Sequence, residues 1–334
     1  MKKIPSVSLI VPIYNEGKYI EQFLNSLRMQ SYPVEKMQII LVEGRSQDQT
    51  LTIIQNFINN NEDLDILLLD NEKRYQVYAL NLGIKHASGE IIIRLDAHSR
   101  FPENYIELCI KTLFETGADN VGGLANTKGT TNFSKTVAKL LSSKFGVGNS
   151  EFRIHAKSGY VDTVPFGTYR KELFDKIGLF DERLIRNEDN EFNARILKNG
   201  GTIYLNSEIQ FDYYCLDTFR GLVESGYMNG QWNIITLYLT KGSMRVRHFV
   251  PFLFFLYIII GLAISIPFPD VFKYWFVILA LYIFLDFIVS IKISKTIKEF
   301  VHLFFLFPSF HITYGFGSFI GLFKIIFGKT EVLM

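Results

Sequence analysis

The chain has 334 residues, of which 48% are hydrophobic and 15% aromatic, and its formal net charge is +2. A charge this close to zero excludes the global basic field that nucleic-acid-binding proteins use, so no nucleic acid is expected as a partner. Residues 1–248 have the composition of a mixed α/β domain, whereas residues 249–327 are strongly apolar. The length has room for one large domain or two smaller ones.

Two features predict a cytoplasmic location for the N-terminal part. The first apolar run, Val7–Ile13, is short, contains Pro12 and is followed by no small-residue cleavage site, so it does not resemble a secretory signal. Cys109 and Cys215 fit no metal-ligand spacing, which favours two ordinary thiols in a reducing compartment.

Strand-like and helix-like segments alternate along the N-terminal part. The strand-like runs cover residues 7–13, 37–42, 64–69, 90–95 and 120–123. Helices are predicted over 18–30, 48–60, 75–86, 103–115 and 188–198. This order predicts an α/β fold with a mostly parallel sheet and helices on both faces.

Polar groups stand at the ends of three of these strands. A Tyr-Asn-Glu segment at 14–16 follows the first strand, Glu43 follows the second, and Asp96 follows the strand at 90–95. Ligands of open α/β sheets bind beyond the carboxyl ends of the strands. The pattern therefore indicates a nucleotide pocket.

Three uncharged or nearly uncharged runs near the C-terminus predict membrane helices. They cover residues 249–268, 271–291 and 300–323, and about 20 helical residues are enough to cross a hydrocarbon core. Pro308 and three glycines in the third run leave open a kinked or re-entrant segment. Asp286, in the second run, is expected to snorkel to the cytoplasmic interface.

The distribution of basic residues predicts the orientation of these runs. Three lysines lie at 292–298, between the second and third runs, whereas the link at 267–270 has no basic residue. Basic residues mark the cytoplasmic side. The N-terminal domain and the 292–298 loop are therefore predicted inside, and the C-terminus outside if the third run crosses once.

Six short motifs follow one another in the order found in a known family. They are VPIYNE at 11–16, EGRSQD at 43–48, ALNLG at 79–83, RLDAH at 94–98, VPFG at 164–167 and RNEDNEF at 186–192. Together they resemble the family 2 glycosyltransferases, which use the Rossmann-like GT-A fold. The chain looks most similar to the succinoglycan-type bacterial exopolysaccharide transferases that carry a membrane C-terminus.

The resemblance implies a UDP-sugar donor. It places Pro12, Tyr14 and Glu16 in the nucleoside pocket and Glu43 against the uracil edge, where the family more often has Asp. Arg74 is a further candidate for a phosphate contact. The alternatives are a simple turn and helix start for Tyr14 and Glu16, and a solvated surface position for Arg74.

The segment Asp96-Ala97-His98 stands where the family usually has Asp-x-Asp. Alternate residues of an extended segment point the same way, so Asp96 and His98 are predicted to share a divalent cation, Mn²⁺ or Mg²⁺. A histidine ligand favours Mn²⁺. The alternative is that His98 is a surface residue and Asp96 binds ribose or metal alone.

The resemblance assigns the catalytic base to Asp189, with Glu188 beside it. A carboxylate can take the proton of an acceptor hydroxyl as it attacks the anomeric carbon, which inverts that carbon. The alternative is an acidic helix N-terminus, and both interpretations can hold together. Phe166 and Gly167 are predicted on the acceptor side. Trp232 is predicted either to stack on an acceptor sugar or to anchor an interfacial helix.

These observations predict a cytoplasmic GT-A domain at 1–215, an amphipathic interfacial helix region at 216–248, a transmembrane region at 249–327 and a tail at 328–334. The predicted protein is an inverting, multi-pass glycosyltransferase of the inner (cytoplasmic) membrane. It would transfer a hexose from a UDP-sugar to a lipid-linked (polyprenyl diphosphate) saccharide in exopolysaccharide biosynthesis. The alternative enzymes are a polyprenyl-phosphate sugar synthase and a processive polysaccharide synthase. The alternative from another class is a non-catalytic sugar-nucleotide-binding membrane protein.

Overall fold

The computed structural model describes residues 4–154 and 156–328. The chain forms two compact units. Unit 1 holds the chain up to Asn126 together with the segment that ends at Tyr213, and unit 2 holds Thr127–Ile154 and the chain from Tyr214 onward. The predicted tail at 328–334, and with it the predicted outside C-terminus, lies outside the described residues apart from Gly328.

Unit 1 is built on a sheet whose first half is parallel, as predicted. The strands are β1 Val7–Ile13, β2 Met37–Glu43, β3 Asp65–Asp70, β4 Ile91–Arg94, β5 Ser99–Arg100, β6 Asn120–Lys128, β7 Gly159–Tyr160, β8 Thr168–Arg170 and β9 Ile203–Tyr214. Strands β3, β2, β1 and β4 lie side by side in that order and pair in parallel. The central strand β1 is buried at every residue, as expected for a strand inside a parallel sheet.

The other half of the sheet differs from the prediction because its strands pair antiparallel. Strand β8 lies between β4 and β6 and is antiparallel to both, and β9 pairs antiparallel with β5 and β7. These strands are not marked by long apolar runs in the sequence. Three of them have only two or three residues, and β9 alternates buried residues with more exposed ones.

The predicted helices are found close to their expected positions. In chain order the helices are α1 Ile20–Arg28, α2 Thr50–Asn59, α3 Gln76–His86, α4 Tyr105–Thr116, α5 Asn132–Leu141, α6 Lys144–Val147, α7 Glu172–Ile177, α8 Glu188–Lys198, α9 Phe219–Leu239, α10 Val250–Ser265, α11 Pro269–Ile293 and α12 Ile297–Ile326. In α1 the buried residues include Ile20, Phe23, Leu24 and Leu27. Their spacing of three and four residues forms one apolar stripe, which faces the core.

Unit 2 contains three helices that are long and apolar enough to cross a membrane. They cover Val246–Ser265, Pro269–Ile293 and Ile297–Ile326. Many of their large apolar side chains are exposed, and a contiguous apolar surface of this kind suits contact with lipid. The helices therefore indicate membrane association. The third is one 30-residue helix that runs unbroken past Pro308.

Helices α9 and α12 pack closely through small residues. Gly230, Gly317 and Gly321 each face a backbone carbonyl of the opposite helix, and the absence of a side chain lets the two backbones approach. Trp232 lies in this packed region of α9 and is only 1% exposed. In this structure its indole ring is therefore buried, and presents no face to a sugar or to a membrane surface.

Asp286 does not snorkel to an interface, which corrects the expectation from the sequence. The residue is fully buried within unit 2, on α11. The Ser290 hydroxyl, one turn further along the helix, donates a hydrogen bond of 3.0 Å to its carboxylate. Asp286 therefore satisfies part of its hydrogen bonding inside the protein.

Candidate active site

The candidate active site lies at the edge of the sheet where parallel pairing changes to antiparallel pairing. Strands β1, β2 and β4 end at this edge, and β8 begins there because it runs antiparallel to β4. The Arg94 N–H donates to the Gly167 carbonyl at 3.1 Å, which joins the end of β4 to the start of β8. A crevice at such a switch point is the usual ligand position in open α/β sheets.

Hydrogen bonds tie the loop after β1 to the loop after β2. The Asn15 N–H donates to the Ser46 hydroxyl, and the Gln47 N–H donates to the Asn15 side-chain oxygen, both at 2.8 Å. The Glu16 N–H donates to the Thr50 hydroxyl at 2.8 Å. Asn15 has a φ of 54°, a left-handed conformation that Asn adopts more readily than most residues. The motif at 14–16 is therefore a fixed loop.

Pro12 and Tyr14, two of the predicted nucleoside contacts, differ in exposure. Pro12 is buried within β1, opposite Val42. Pairing of β1 with β4 has already ended at Ile10, so the N–H that proline lacks costs no bond to that strand. Tyr14 is 41% exposed. Of the two, Tyr14 offers the accessible side chain.

Glu43 is buried at the end of β2 and organises the loop that follows. Its two carboxylate oxygens accept hydrogen bonds of 2.7 Å from the N–H groups of Arg45 and Ser46. Arg45 has a φ of 61°, so the carboxylate stabilises a turn that most residues disfavour. Each oxygen has a second lone pair. Contact with a base edge stays a prediction, and it would be made by a carboxylate already fixed by the backbone.

Glu16, His98 and Asp96 form a cluster in which an imidazole stands between two carboxylates. His98 Nδ1 lies 3.0 Å from Glu16 Oε1, and His98 Nε2 lies 3.9 Å from Asp96 Oδ2. Burial lowers the pKa of His98, but Asp96, Tyr213 and Glu16 raise it by more, so the pKa lies well above its usual value. The two carboxylates therefore favour the protonated form of the imidazole.

The same geometry fits a divalent cation in place of that proton. Metal-bound histidines commonly donate their second ring N–H to a carboxylate, as His98 does to Glu16. Two atoms that each lie about 2.1 Å from one ion are at most about 4.2 Å apart, and the 3.9 Å between Nε2 and Asp96 Oδ2 meets that limit. Within residues 4–154 and 156–328, no group of three or more His, Cys, Asp or Glu could hold a metal by itself. Further ligands would come from a bound molecule.

Arg94 is a site residue that the sequence analysis missed. It ends β4 and is 5% exposed. Its guanidinium forms an ion pair with Asp189 and a second with Glu188, for which Nη2 and Oε1 are 3.4 Å apart. The Gln76 amide also donates to Glu188, at 3.3 Å. The signal in the sequence is a charged residue directly after three isoleucines of a central strand, because a buried charge requires a partner.

The two carboxylates that open α8 differ in accessibility. Burial and the Asp189 carboxylate raise the pKa of Glu188 to about 7, against the opposing effect of Arg94. Burial also raises the pKa of Asp189, and Arg94 opposes that shift too. The side chain of Asp189 is 27% exposed and that of Glu188 is 9% exposed. Asp189 is therefore the carboxylate that a substrate can reach.

Backbone strain is concentrated at this edge of unit 1. In the part of the chain that the structure describes, the non-glycine residues with positive φ are Asn15, Arg45, Arg74, Phe166 and Asn187. All of them lie in loops that follow β1, β2 and β3 or that precede β8 and α8. Strained backbone persists only where its surroundings enforce it, and it clusters at functional sites.

The remaining predicted residues differ in exposure. Phe166 is buried, with its ring centroid 4.6 Å from that of Phe211 and 5.9 Å from that of Phe101. Gly167 is buried as well, and Arg74 is exposed. Direct contact of these residues with an acceptor or a phosphate stays a prediction.

Comparisons with known sequences identify the family. Residues 8–178 match the model of glycosyl transferase family 2. The chain is 30% identical over 327 residues to the dolichyl N-acetyl-alpha-D-glucosaminyl phosphate 3-beta-D-2,3-diacetamido-2,3-dideoxy-beta-D-glucuronosyltransferase of Methanococcus voltae, covering 95% of this chain and 97% of the relative. It is 32% identical over 208 residues to the succinoglycan biosynthesis protein ExoA of Rhizobium meliloti (strain 1021), covering 62% of each chain.

Solved structures share the fold at low sequence identity. The mannosyltransferase PcManGT of Pyrobaculum calidifontis aligns with a TM-score of 0.58 at 18% identity, covering 94% of this chain and 88% of that one. S. aureus TarS 1-349 aligns with a TM-score of 0.50 at 18% identity, covering 94% and 90%. The fold is GT-A-like, and together with the site it defines a glycosyltransferase. The chain belongs to glycosyl transferase family 2, as its motifs predicted.

Proposed function

We propose that this glycosyltransferase is an inverting enzyme, anchored in the cytoplasmic membrane, that transfers a hexose from a UDP-sugar to a lipid-linked saccharide. One observation carries the proposal. Arg94 contacts Asp189 and lies two residues before Asp96 on the same extended segment. Asp189 is the carboxylate suited to an acceptor, and Asp96 is the carboxylate suited to a donor. Both therefore lie at the same edge of the sheet.

The donor side is assigned to Tyr14, Glu43, Asp96 and His98. Asp96 and His98 would hold the divalent cation, which when bound supplies positive charge to the diphosphate leaving group. One relative of this fold was solved with GDP-Man and Mn²⁺ and another with UDP-GlcNAc, which supports a nucleoside-diphosphate sugar and a cation. The exposed ring of Tyr14 would pack on the base, and Glu43 would accept a hydrogen bond from the edge of the base.

The acceptor side is assigned to Asp189. The acceptor hydroxyl attacks the anomeric carbon, and its proton passes to the Asp189 carboxylate. The new glycosidic bond forms as the bond between that carbon and the diphosphate breaks, and UDP leaves with the bonding electrons. A single displacement inverts the carbon and needs no covalent nucleophile.

A lipid-linked saccharide is the acceptor class that the comparisons support best. The Methanococcus voltae relative is named for a dolichyl-phosphate-linked sugar and matches this chain over nearly its whole length. The three long apolar helices of unit 2 suit a substrate held at a membrane. A polyprenyl-phosphate sugar synthase is less well supported, because a phosphate acceptor needs no base. A non-catalytic binding protein has no need for Asp96 and Asp189 together.

Nucleoside diphosphate release tests this function directly. Membranes that contain the full chain would be incubated with UDP-hexoses and GDP-hexoses, a lipid-linked saccharide and Mn²⁺. We expect release from one UDP-sugar, dependent on the acceptor and abolished by EDTA, with Asp189→Asn membranes as the matched control. Release of nucleoside diphosphate from GDP-sugars alone would show that the donor is a GDP-sugar. Release with polyprenyl phosphate as the sole acceptor would favour the polyprenyl-phosphate sugar synthase. Membranes that release neither nucleotide would contradict the proposal.

The orientation in the membrane can be tested separately. Cysteines replacing Lys295 and Asp270 would be labelled in sealed vesicles with an impermeant thiol reagent. Because basic residues mark the cytoplasmic side, we expect Lys295→Cys to react only from the cytoplasmic face and Asp270→Cys only from the other. Both native thiols are buried, so the background is low. Labelling of both sites from one face would mean that α11 does not cross.

A further inference from the structure

Arg94 occupies a position where an arginine is costly. It follows Ile91, Ile92 and Ile93 in β4, and these four residues are all buried. Taking a guanidinium out of water carries a penalty that an ion pair repays only with good geometry, and apolar residues often stabilise such a site equally well. Folding therefore gives little reason for a charge here, and the partners of Arg94 point to another reason.

The guanidinium engages one oxygen of each carboxylate at the start of α8. It pairs with Oδ2 of Asp189 and with Oε1 of Glu188. The other oxygen of Asp189, Oδ1, is buried and has no hydrogen-bond partner among the described residues. Arg94 thus holds the Asp189 carboxylate through one oxygen. The backbone of Arg94 is itself fixed, because its N–H donates to the Gly167 carbonyl.

We propose that Arg94 is a positioning residue for the catalytic base: it pairs with Oδ2 of Asp189, compensates the charge of Glu188 and keeps the Asp189 carboxylate ionised and fixed in place. This inference rests on the proposed function, because it needs Asp189 to be the base. It also gives two roles to the residues at and just after the end of β4. Asp96 serves the donor, and Arg94 serves the acceptor.

The charges around Asp189 explain why a fixed cation is needed there. Besides Arg94, the groups that act on this pair of carboxylates are Asp96 beyond β4, Tyr169 on β8 and Arg186 before α8. Burial raises the pKa of Asp189, and Arg94 is the cation in direct contact that lowers it. Without Arg94, Asp189 would share a buried site with Glu188 and would lose the cation that pairs with it. Asp189 would then keep its proton to higher pH and fail as a base.

Three variants test this role in the full-length protein. Arg94→Gln is expected to lower kcat about 10²-fold. It should also shift the acid limb of the pH profile of kcat, where the catalytic base gains its proton, to higher pH by about one unit or more. Its affinity for UDP with Mn²⁺ should stay within about threefold of wild type. Arg94→Lys keeps the charge without the two-pronged geometry, so it should restore part of kcat and return the acid limb towards its wild-type position.

The double variant Arg94→Gln/Glu188→Gln keeps the test decisive if the single variant does not fold. It removes one of the two carboxylates together with the cation, so it should fold better than Arg94→Gln and its acid limb should return towards wild type. Arg195→Gln is the matched control. Arg195 pairs with Glu191 on the same helix at 2.6 Å and lies six residues beyond Asp189, so its loss should leave the acid limb in place.

The outcomes separate this inference from the proposed function. Wild-type protein that releases no nucleoside diphosphate would overturn both. Active wild-type protein whose acid limb is unmoved in Arg94→Gln, or moved equally by Arg195→Gln, would overturn the role of Arg94 alone. An upward shift in Arg94→Gln that Arg94→Lys and the double variant reverse, with UDP affinity maintained, would support it.

Discussion

The proposed site has a donor cluster (Glu16, Asp96 and His98) and an acceptor cluster (Arg94, Glu188 and Asp189), which share one plan but use different cations. On the donor side, the His98 imidazole stands between Glu16 and Asp96. On the acceptor side, the Arg94 guanidinium stands between Glu188 and Asp189. Guanidinium keeps its charge throughout the accessible pH range, whereas imidazolium can lose a proton near neutrality.

The difference suits the proposed roles. A divalent cation held by Asp96 and His98 would take the place of a proton on the ring nitrogen that faces Asp96. The donor cluster would therefore change when the nucleotide sugar binds. The acceptor cluster would have to keep Asp189 ionised from one turnover to the next, and a permanent cation would do this without exchange. If so, a variant of one cluster should leave the other cluster intact.

The largest effect is expected from Asp189→Asn. The amide keeps the shape of the side chain but cannot take the proton of an acceptor hydroxyl, and loss of a positioned general base typically lowers the rate roughly 10²–10⁴-fold. UDP affinity should barely change, because Asp189 belongs to the acceptor cluster. Turnover with a lipid-linked acceptor, together with calorimetry of UDP binding, measures both quantities.

Asp96→Asn is the matched control for that experiment. It replaces a carboxylate of the donor cluster in the same way, so it should weaken UDP binding as well as turnover. Turnover of Asp189→Asn within about threefold of wild type would place the base elsewhere, with Glu188 and Glu191 next. Loss of UDP binding in Asp189→Asn would mean that the two clusters are not separable.

An intermediate effect is expected from Glu16→Gln. In the structure Glu16 contacts His98, and loss of a carboxylate that orients a metal-bound histidine typically weakens metal affinity about 10–100-fold. UDP binding in the presence of Mn²⁺ should weaken accordingly, while UDP binding in EDTA should be unchanged. Calorimetry under both conditions separates this from a direct nucleoside contact. Equal weakening with and without Mn²⁺ would show that Glu16 touches the nucleoside instead.

The parallel half of the sheet and the positions of the site motifs could be predicted because their signals are local. An apolar run followed by polar residues marks a strand end within a few residues, and the family motifs cover the same places. The proximity of Asp96 and His98 is local as well, because they are two residues apart, but its cause differs from the prediction. The Ser99 N–H donates to the Asp96 carbonyl at 3.1 Å, so residues 96–99 form a turn and not an extended segment.

The features that escaped prediction depend on which distant segments become neighbours. Arg94 and Asp189 are brought together by the antiparallel insertion of β8 and the placement of α8, and no local pattern shows this. Glu43 stands at a strand end as predicted, but only the structure shows that a turn occupies both its oxygens. From the sequence, Trp232 fits either a platform for a sugar or a membrane anchor. In the structure α9 packs on α12, and Trp232 is buried inside unit 2.

The smallest effect is expected from Glu188→Gln, which tests how much unfavourable charge the acceptor cluster carries. The pKa of Glu188 is raised to about 7 in the folded protein, against about 4.3 for an unperturbed glutamate. Between these values the folded state binds more protons than the unfolded state, so the contribution of this group to stability falls as pH rises through that window. At about pH 8 the wild type carries the full cost of the buried charge, and the variant does not.

Glu188→Gln should therefore have a higher Tm than wild type at about pH 8, by a few degrees, since 1 kcal/mol shifts Tm by roughly 2–4 °C for domains of about 150–250 residues. The advantage should be much smaller at about pH 5, near the lower end of that window, where the wild-type group is protonated in the folded state. Thermal melts in detergent at the two pH values measure it. Glu191→Gln, on the same helix, loses its ion pair with Arg195 and should lower Tm at both. A lower Tm for Glu188→Gln at the higher pH would mean that Arg94 makes the Glu188 charge stabilising, and that the acceptor cluster is a structural ion pair first.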